Sequence, residues 1–304
     1  MINRIQASAT LLIVCVTFAS GRELVVDNVA GSDYQNDRGL VAGPATFGPY
    51  RTIMRALLVA QPGDSIILTK TDVPYRECIS LNGRQHSGTS LYPFQIIGNG
   101  AVLDGTTVPR RDGWEVVRDD LYRYLPPRPG YGQLFVGGNT MPRFIGEFDN
   151  LSAMSQGEWA HLDGLIYFRP PVGKSPLDLP LEITSEAVGI TLYDVEHVVI
   201  SDLTVRGYRL DGINAHDKAN EVQLIGIAAR QNGRSGFCVA GSSSVTIGAS
   251  LSELNGMAQL LSEGESHTIL ANVDLADRTA PPIVDHGGKI MKLPNPADDA
   301  NEVR

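Results

Sequence analysis

The sequence predicts an all-β fold, a parallel β-solenoid, and three observations carry that expectation. Apolar residues recur every 23–24 positions in the C-terminal third. Ile190, Ile213, Phe237, Leu260 and Ile283 form one column, and Val198, Val222, Val245 and Thr268 a second. Ile200, Leu224, Ile247 and Leu270 form a third. Between the columns the pattern alternates, as in Val198-Val199-Ile200 and Leu203-Thr204-Val205, with no helical spacing. Turn residues keep the same period: Gly241, Gly264 and Gly287, and Asn232-Gly233 with Asn255-Gly256. A repeat this short cannot close a core alone and buries its inward face only by stacking on copies of itself. Asn suits a turn column because it tolerates the left-handed region and can bond to the next coil. A β-sandwich would show turns every ~8–12 residues without this register. The L-x-x-L-x-L pattern of leucine-rich repeats is missing.

Composition narrows the function classes. The chain has 304 residues, a formal charge of −9, 42% hydrophobic and 19% charged residues, which is an ordinary globular balance. An acidic chain is a poor match for nucleic acid or an anionic membrane. Three Cys exclude a disulfide scaffold and a Cys-based zinc ribbon. Residues 1–21 read as a signal peptide: Arg4, an apolar stretch from Ala9 to Phe18, then Ala19-Ser20-Gly21. The alternative is a buried N-terminal element. No other run reaches the ~18 apolar residues of a membrane helix. The expected location is therefore secreted, periplasmic or cell-surface, with residues 22–304 as a single monomeric domain. Cys78 and Cys238 fall several coils apart, too far for a bridge, and are expected to pack as small hydrophobes.

The units Gly212-Ile213 and Gly236-Phe237, followed by Val222–Leu224 and Val245–Ile247, resemble the coils of the right-handed parallel β-helix proteins of the pectin-lyase-like superfamily. The resemblance covers most of the chain and implies a right-handed, single-stranded parallel β-helix. It also implies an N-terminal capping helix. Phe47-Gly48-Pro49-Tyr50-Arg51-Thr52-Ile53 leads into Met54–Ala60, with Thr52 as N-cap and Pro62-Gly63 as the stop. Such a cap shields apolar side chains and strand edges at the open end.

Residues 106–185 break the repeat and hold both Trp residues, Trp114 and Trp159. Gln133–Met141 reads as a hairpin about Gly137-Gly138-Asn139, and Gly164–Phe168 as a strand. This segment is expected to form a lateral β-rich excursion. It either walls a groove or only protects the solenoid. Trp114, Tyr122, Tyr124 and Tyr131 could stack on sugar rings or serve as packing. The tail after Lys292 reads as frayed.

If the first column points inward, residues three further on point outward: Tyr193, His216, Ala240, Glu263 and His286. Tyr193 and His216 then sit on adjacent coils, with Asn214, Asp211, Asp217, Arg209 and Arg234 nearby. A Tyr beside a His can move protons, and Arg209 or Arg234 could favour the phenolate. This is the toolkit for abstracting the proton α to a uronate carboxylate. Asp211–Asp217 is faintly similar to the Asp-Pro-His-Asp/Glu stretch of alginate C5-epimerases, matching at His216 and Asp217, with Asn214 and Ala215 departing from it. His216, Tyr193, Asp217 and Arg234 are thus the candidate catalytic residues, and Asn214, Asp211 and Glu263 the candidate substrate-binding ones. The other reading of the same face is an exposed ladder with turn acids. The acids are scattered through turns, so no cofactor is called for, and Ca²⁺ stays open as an alternative that no acidic cluster supports. Two functions stay open: a secreted protein binding or acting on a polysaccharide as lyase, epimerase or hydrolase, and a noncatalytic structural or glycan-binding solenoid at the cell surface.

Overall fold

The computed structural model describes residues 21–34 and 48–294. The stretch read as a signal peptide, up to Ser20, and also Phe47 and the tail from Asn295, lie outside the described residues.

The fold is a parallel β-solenoid. Strand β1 (Glu23–Val26), helix α1 (Ile53–Val59), β2 (Ser65–Leu68), β3 (Ile79–Asn82) and β4 (Phe94–Asp104) form its N-terminal part. The excursion carries β5 (Thr106–Thr107), β6 (Trp114–Arg118), β7 (Leu121–Tyr124), β8 (Leu134–Val136), β9 (Asn139–Thr140), β10 (Trp159–Leu162), β11 (Leu165–Phe168) and β12 (Leu181–Thr184). Long strands β13 (Ile190–Arg206) and β14 (Asp211–Arg230) follow. The stack ends with β15 (Ser235–Val239), β16 (Ser244–Glu253), β17 (Ala258–Glu263), β18 (His267–Leu275), β19 (Ile283–His286) and β20 (Lys289–Lys292). One parallel ladder runs β1-β2-β4-β13-β14-β16-β18-β20, and a second, the front face, runs β3-β13-β14-β15-β17-β19.

The sequence columns are the core. Ile190, Ile213, Phe237, Leu260 and Ile283 pair in register, and so do Val198, Val222, Val245 and Thr268. All are buried except Ile283, which is half-buried on the last coil. Each full burial of such an aliphatic side chain is worth about 1.5–3 kcal/mol. Thr268 departs from its apolar column, and its buried hydroxyl has no partner among the described residues.

The coils bend at one recurring backbone conformation. Asp202, Gly226, Ala249 and Asn272 occupy equivalent positions and have φ of +51°, +66°, +47° and +56°. A single left-handed residue turns the strand without ending its ladder, and only Gly takes that region without steric cost. The Asn column bonds between coils as its residue type suggests. The Asn232 side-chain oxygen accepts from Tyr208 N at 3.1 Å, and Asn255 Oδ1 accepts from Asn232 N at 2.9 Å.

Helix α1 caps the N-terminal end one residue earlier than its sequence suggests. Thr52 Oγ1 accepts from Arg55 N at 3.1 Å, and the Glu77 carboxylate accepts from Ile53 N and Met54 N at 2.9 Å each. Ile53, Ala56 and Leu57 face the core. Gly63, at φ +79°, turns the chain into β2.

The excursion folds on antiparallel sheets of its own, β10-β11-β7-β6 and β5-β12-β8-β9. The β8–β9 hairpin turns through Gly137 and Gly138, both at positive φ, as a two-residue type I′ connection requires. Trp159, Phe168, Tyr124 and Ile183 pack in a core distinct from that of the solenoid. This removes Tyr124 from the sugar-stacking candidates, because its ring is buried against Trp114 at a 5.1 Å centroid distance. Trp114 is half-buried there, and Tyr131 stays exposed. Cys78 and Cys238 are both free thiols.

Candidate functional site: a bulged strand on the front face

The front face presents Asn82, Tyr193, His216, Ala240, Glu263 and His286 outward in one column, between inward-facing neighbours. His216 is irregular in this column. Leu192 pairs with Ala215, yet Tyr193 pairs with Asp217, so His216 has no partner on the preceding coil. Toward the following coil the register is also one residue long between Ala215↔Val239 and Val222↔Val245. His216 is therefore a one-residue bulge. A bulge re-aims its side chain and increases the local twist. Here it turns the imidazole beside the phenol, with ring centroids 6.1 Å apart and planes at 38°. Both rings are exposed, Tyr193 at 45%.

A polar cleft of about 470 Å³ begins one residue past Tyr193, at Asp194, and two past His216, at Lys218, and Arg84, Ser87, Glu196 and Asn220 also line it. The main chain places Arg84 there. Gly83 N donates to Tyr193 O at 3.2 Å, and the next residue opens a 3-10 turn, Arg84–His86. His86 fastens that turn: its Nδ1 accepts from Asn82 N at 3.0 Å. The other ring nitrogen, Nε2, then carries the proton and donates to Leu57 O at 3.1 Å. Burial pushes the His86 pKa down, which favours this neutral form. The Arg84 side chain has no hydrogen bond or ion pair among the described residues. Asp194 and Lys218 hold positive φ at the turns just past Tyr193 and His216.

The remaining expected residues form a second cluster on the same face. Asp211 is fully buried and accepts four hydrogen bonds: Arg234 Nε at 2.9 Å, Arg234 Nη2 at 2.5 Å, Ser235 Oγ at 2.7 Å and Asn214 Nδ2 at 2.9 Å. This pairing holds the Arg234 guanidinium above its ordinary pKa. Burial, with the Asp211 charge adding to it, pushes the Cys238 thiol well up. Its Sγ lies 3.7 Å from Glu263 Oε2, and His286 Nδ1 lies 3.8 Å from Glu263 Oε1. Asn214 Oδ1 is buried without a partner among the described residues.

The structure thus brings Tyr193 and His216 together and sets Asp211, Asn214, Arg234 and Glu263 in a separate network. Asp217 turns away from His216, accepting from Ser242 N at 3.0 Å, and that bond holds its carboxyl below the usual range. Neither arginine expected beside Tyr193 reaches it. Arg234 is committed to Asp211, and Arg209 Nη1 donates to Pro129 O at 2.9 Å. The cations that line the polar cleft are instead Arg84 and Lys218, which the sequence reading did not single out. Lys218 was two residues from His216 in plain view, whereas Arg84 lies more than 100 residues upstream. Only the pairing of β3 with β13 brings it in. Among the described residues, no group of three or more His, Cys, Asp or Glu could hold a metal ion. No helix among them is long and apolar enough to cross a membrane.

No protein-family model matches the chain, and no curated protein matches it. Solved structures do. A structure described as a glycoside hydrolase aligns with TM-score 0.51 and 11% identity over 83% of this chain and 74% of that one. The complex of XylC with xylose aligns with TM-score 0.47 and 13% identity, over 89% of this chain and 70% of that one. Pectate lyase Pel9A aligns with TM-score 0.34 and 12% identity, over 84% of this chain and 64% of that one. At such identities the likeness is one of fold, and the fold is the parallel β-helix.

Proposed function

We propose that this protein is exported and binds a uronate-containing polysaccharide along its front face, with Tyr193 and His216 as the side-by-side contact pair. The observation that carries the reading is the bulge that turns His216 out of register to stand beside Tyr193. Both rings are exposed, although burying them would favour stability. Exposed aromatic faces stack on the apolar faces of sugar rings. Arg84 and Lys218 line the adjoining cleft and suit a carboxylate on the sugar. A solenoid lays these groups out along an axis that matches an extended chain. The fold shared with a glycoside hydrolase agrees with a carbohydrate partner.

A second reading, elimination or epimerisation, is favoured by the Tyr193–His216 adjacency itself. Histidine is the side chain that exchanges a proton near neutral pH. In an elimination the imidazole takes the proton α to the uronate carboxylate. The electron pair forms the new C=C bond as the C4–O bond breaks, and the phenol hydroxyl delivers a proton to the departing oxygen.

The test is a panel of alginate, pectate, glycosaminoglycans and neutral plant glycans. Retention is followed together with unsaturated-uronate absorbance, new reducing ends and epimer ratio. Retention on an acidic glycan, lost in Tyr193→Ala and His216→Ala, is the expected result. Turnover abolished by the same changes would make the protein an enzyme. Retention that both variants keep would remove this face from the binding site.

A further inference from the structure

The excursion and the solenoid enclose a second cleft, remote in sequence from the bulge. Gln133, Thr140, Met141 and Arg143 line it from the excursion, and Asn255 and Thr279 from the coils. Its volume is about 190 Å³. That lies below the roughly 300–1,000 Å³ of pockets for drug-sized ligands and suits a single small unit.

Arg143 sets the chemistry. Its main chain is held on both sides: Trp159 N donates to Pro142 O at 3.1 Å and Phe144 N to Trp159 O at 2.7 Å. Its guanidinium carbon stands 5.5 Å from the centre of the Trp159 ring, so one face of the cation is covered and its N–H edges are left over. Trp159 is buried and anchored by its Nε1, which donates to Met141 O at 3.0 Å. Arg22, Arg169, Arg206 and Arg234 each hold a carboxylate within 4 Å, at Asp64, Asp120, Asp104 and Asp211. Arg143 holds none among the described residues. The residue as a whole is exposed, while the covering of its guanidinium by the surrounding chain lowers its pKa, and no acid among the described residues offsets this. Burial first and the Arg143 charge second also push His161 down, so that neighbour supplies no negative charge.

The polar groups around it are half used. Gln133 Nε2 donates to Asn232 O and Leu254 O, while its Oε1 accepts nothing among the described residues. Thr140 Oγ1 accepts from Gln231 Nε2 at 3.1 Å, which leaves its own proton to give. Met141, Pro142 and Leu254 supply apolar wall. A solvent-facing cation stacked on Trp159 without an anion among the described residues, a spare donor, a spare acceptor and an apolar wall together describe a receptor for a small polyol bearing one carboxylate.

We infer that this cleft binds one monosaccharide-sized sugar acid, its carboxylate on the free edge of Arg143 and its ring against Met141, Pro142 and Leu254. The sugar class rests on the polysaccharide reading above, but the location does not.

Calorimetric titration of the full chain with D-glucuronate, D-glucose and acetate tests this. Glucuronate is expected to bind at least about tenfold more tightly than either partial mimic, since only it offers both the charge-assisted contact and the ring. Arg143→Gln should lose about tenfold or more with an unchanged melting temperature, and Tyr193→Ala should bind glucuronate as before. A glucuronate-ended oligosaccharide distinguishes the sources. If it binds as well as the free acid, the cleft takes chain ends, and if only the free acid binds, it takes free sugar acids. Equal binding of glucose and glucuronate, no binding of glucuronate, or an unaffected Arg143→Gln would each overturn the inference. Loss of glycan retention in Tyr193→Ala alongside intact glucuronate binding separates the two sites. The wild-type comparison of the three ligands stands even if Arg143→Gln fails to fold.

Discussion

Two polar groups share the front face, and they are built oppositely. In the Asp211 network almost every donor and acceptor is spent on a neighbour, and the carboxylate at its centre is fully buried. In the Tyr193–His216 pair neither side chain has a hydrogen bond among the described residues, and both are exposed. A buried charge is tolerable only when paired, so the first group is tied to the fold. Exposed side chains without partners are free to meet a ligand. Residue type alone does not separate these cases, since both groups are made of residues with catalytic reputations. What separates them is whether their bonding capacity is already used.

The comparison can be broken most decisively at Asp211. Asp211→Ala strands the Arg234 cation and should cost about 3–5 kcal/mol, read as a lower midpoint in urea unfolding. A cost below about 1 kcal/mol would mean that the network is not structural and that Arg234 is available for chemistry. Next in size is the recurring bend. Ala249 sits at φ +47°, where a Cβ is strained, so Ala249→Gly should raise stability by about 0.5–1 kcal/mol. A loss of stability there would show that the bend is not what sets the coil.

His86 sharpens the comparison through pH. Its pKa is lowered in the fold, so the folded state favours the neutral ring. Above the ordinary value of about 6.5 both states are neutral and the full stability is present. As pH falls below that value the unfolded chain takes the proton first and stability drops. The melting temperature should therefore fall between pH 7.5 and 5, with a shallower slope in His86→Gln. An equal slope in the variant would exclude His86 as the cause. Protonation also turns Nδ1 from acceptor to donor opposite Asn82 N–H, so acid should loosen the turn that carries Arg84. The smallest stability effects belong to the exposed pair. Tyr193→Ala and His216→Ala should each move stability by less than about 0.5 kcal/mol while abolishing glycan retention. Deleting His216 restores the register with the preceding coil. That variant should unfold as a single transition near the wild-type midpoint and fail to bind.

Much of this architecture is legible in the sequence itself. The apolar columns pair in the register their spacing implies, because stacking forces identical positions into contact. The adjacency of Tyr193 and His216 followed from the same arithmetic. The bulge was visible too: Ile190 to Ile213 spans 23 residues and Val198 to Val222 spans 24, but a change of one reads as noise in a period. The left-handed column was not legible, because Asp202, Gly226, Ala249 and Asn272 share a backbone angle and not a chemistry. Arg84 was hidden by the excursion, which separates its coil from that of Tyr193 along the chain while leaving them paired in space. Arg143 gave no signal, since the absence of an acid near a cation is a fact about three dimensions.

The excursion leaves and rejoins the stack at one point. Gly105 N donates to Arg206 O at 3.0 Å, and Gly105 O accepts from Ser185 N and Glu186 N at 3.0 Å each. No residue between Leu103 and Ile190 enters the solenoid core. The insert is in that sense a cartridge seated in a socket. Its ends already meet, so selection can enlarge, trim or exchange it, and with it the wall of the second cleft, while the coils beneath keep every core residue they have.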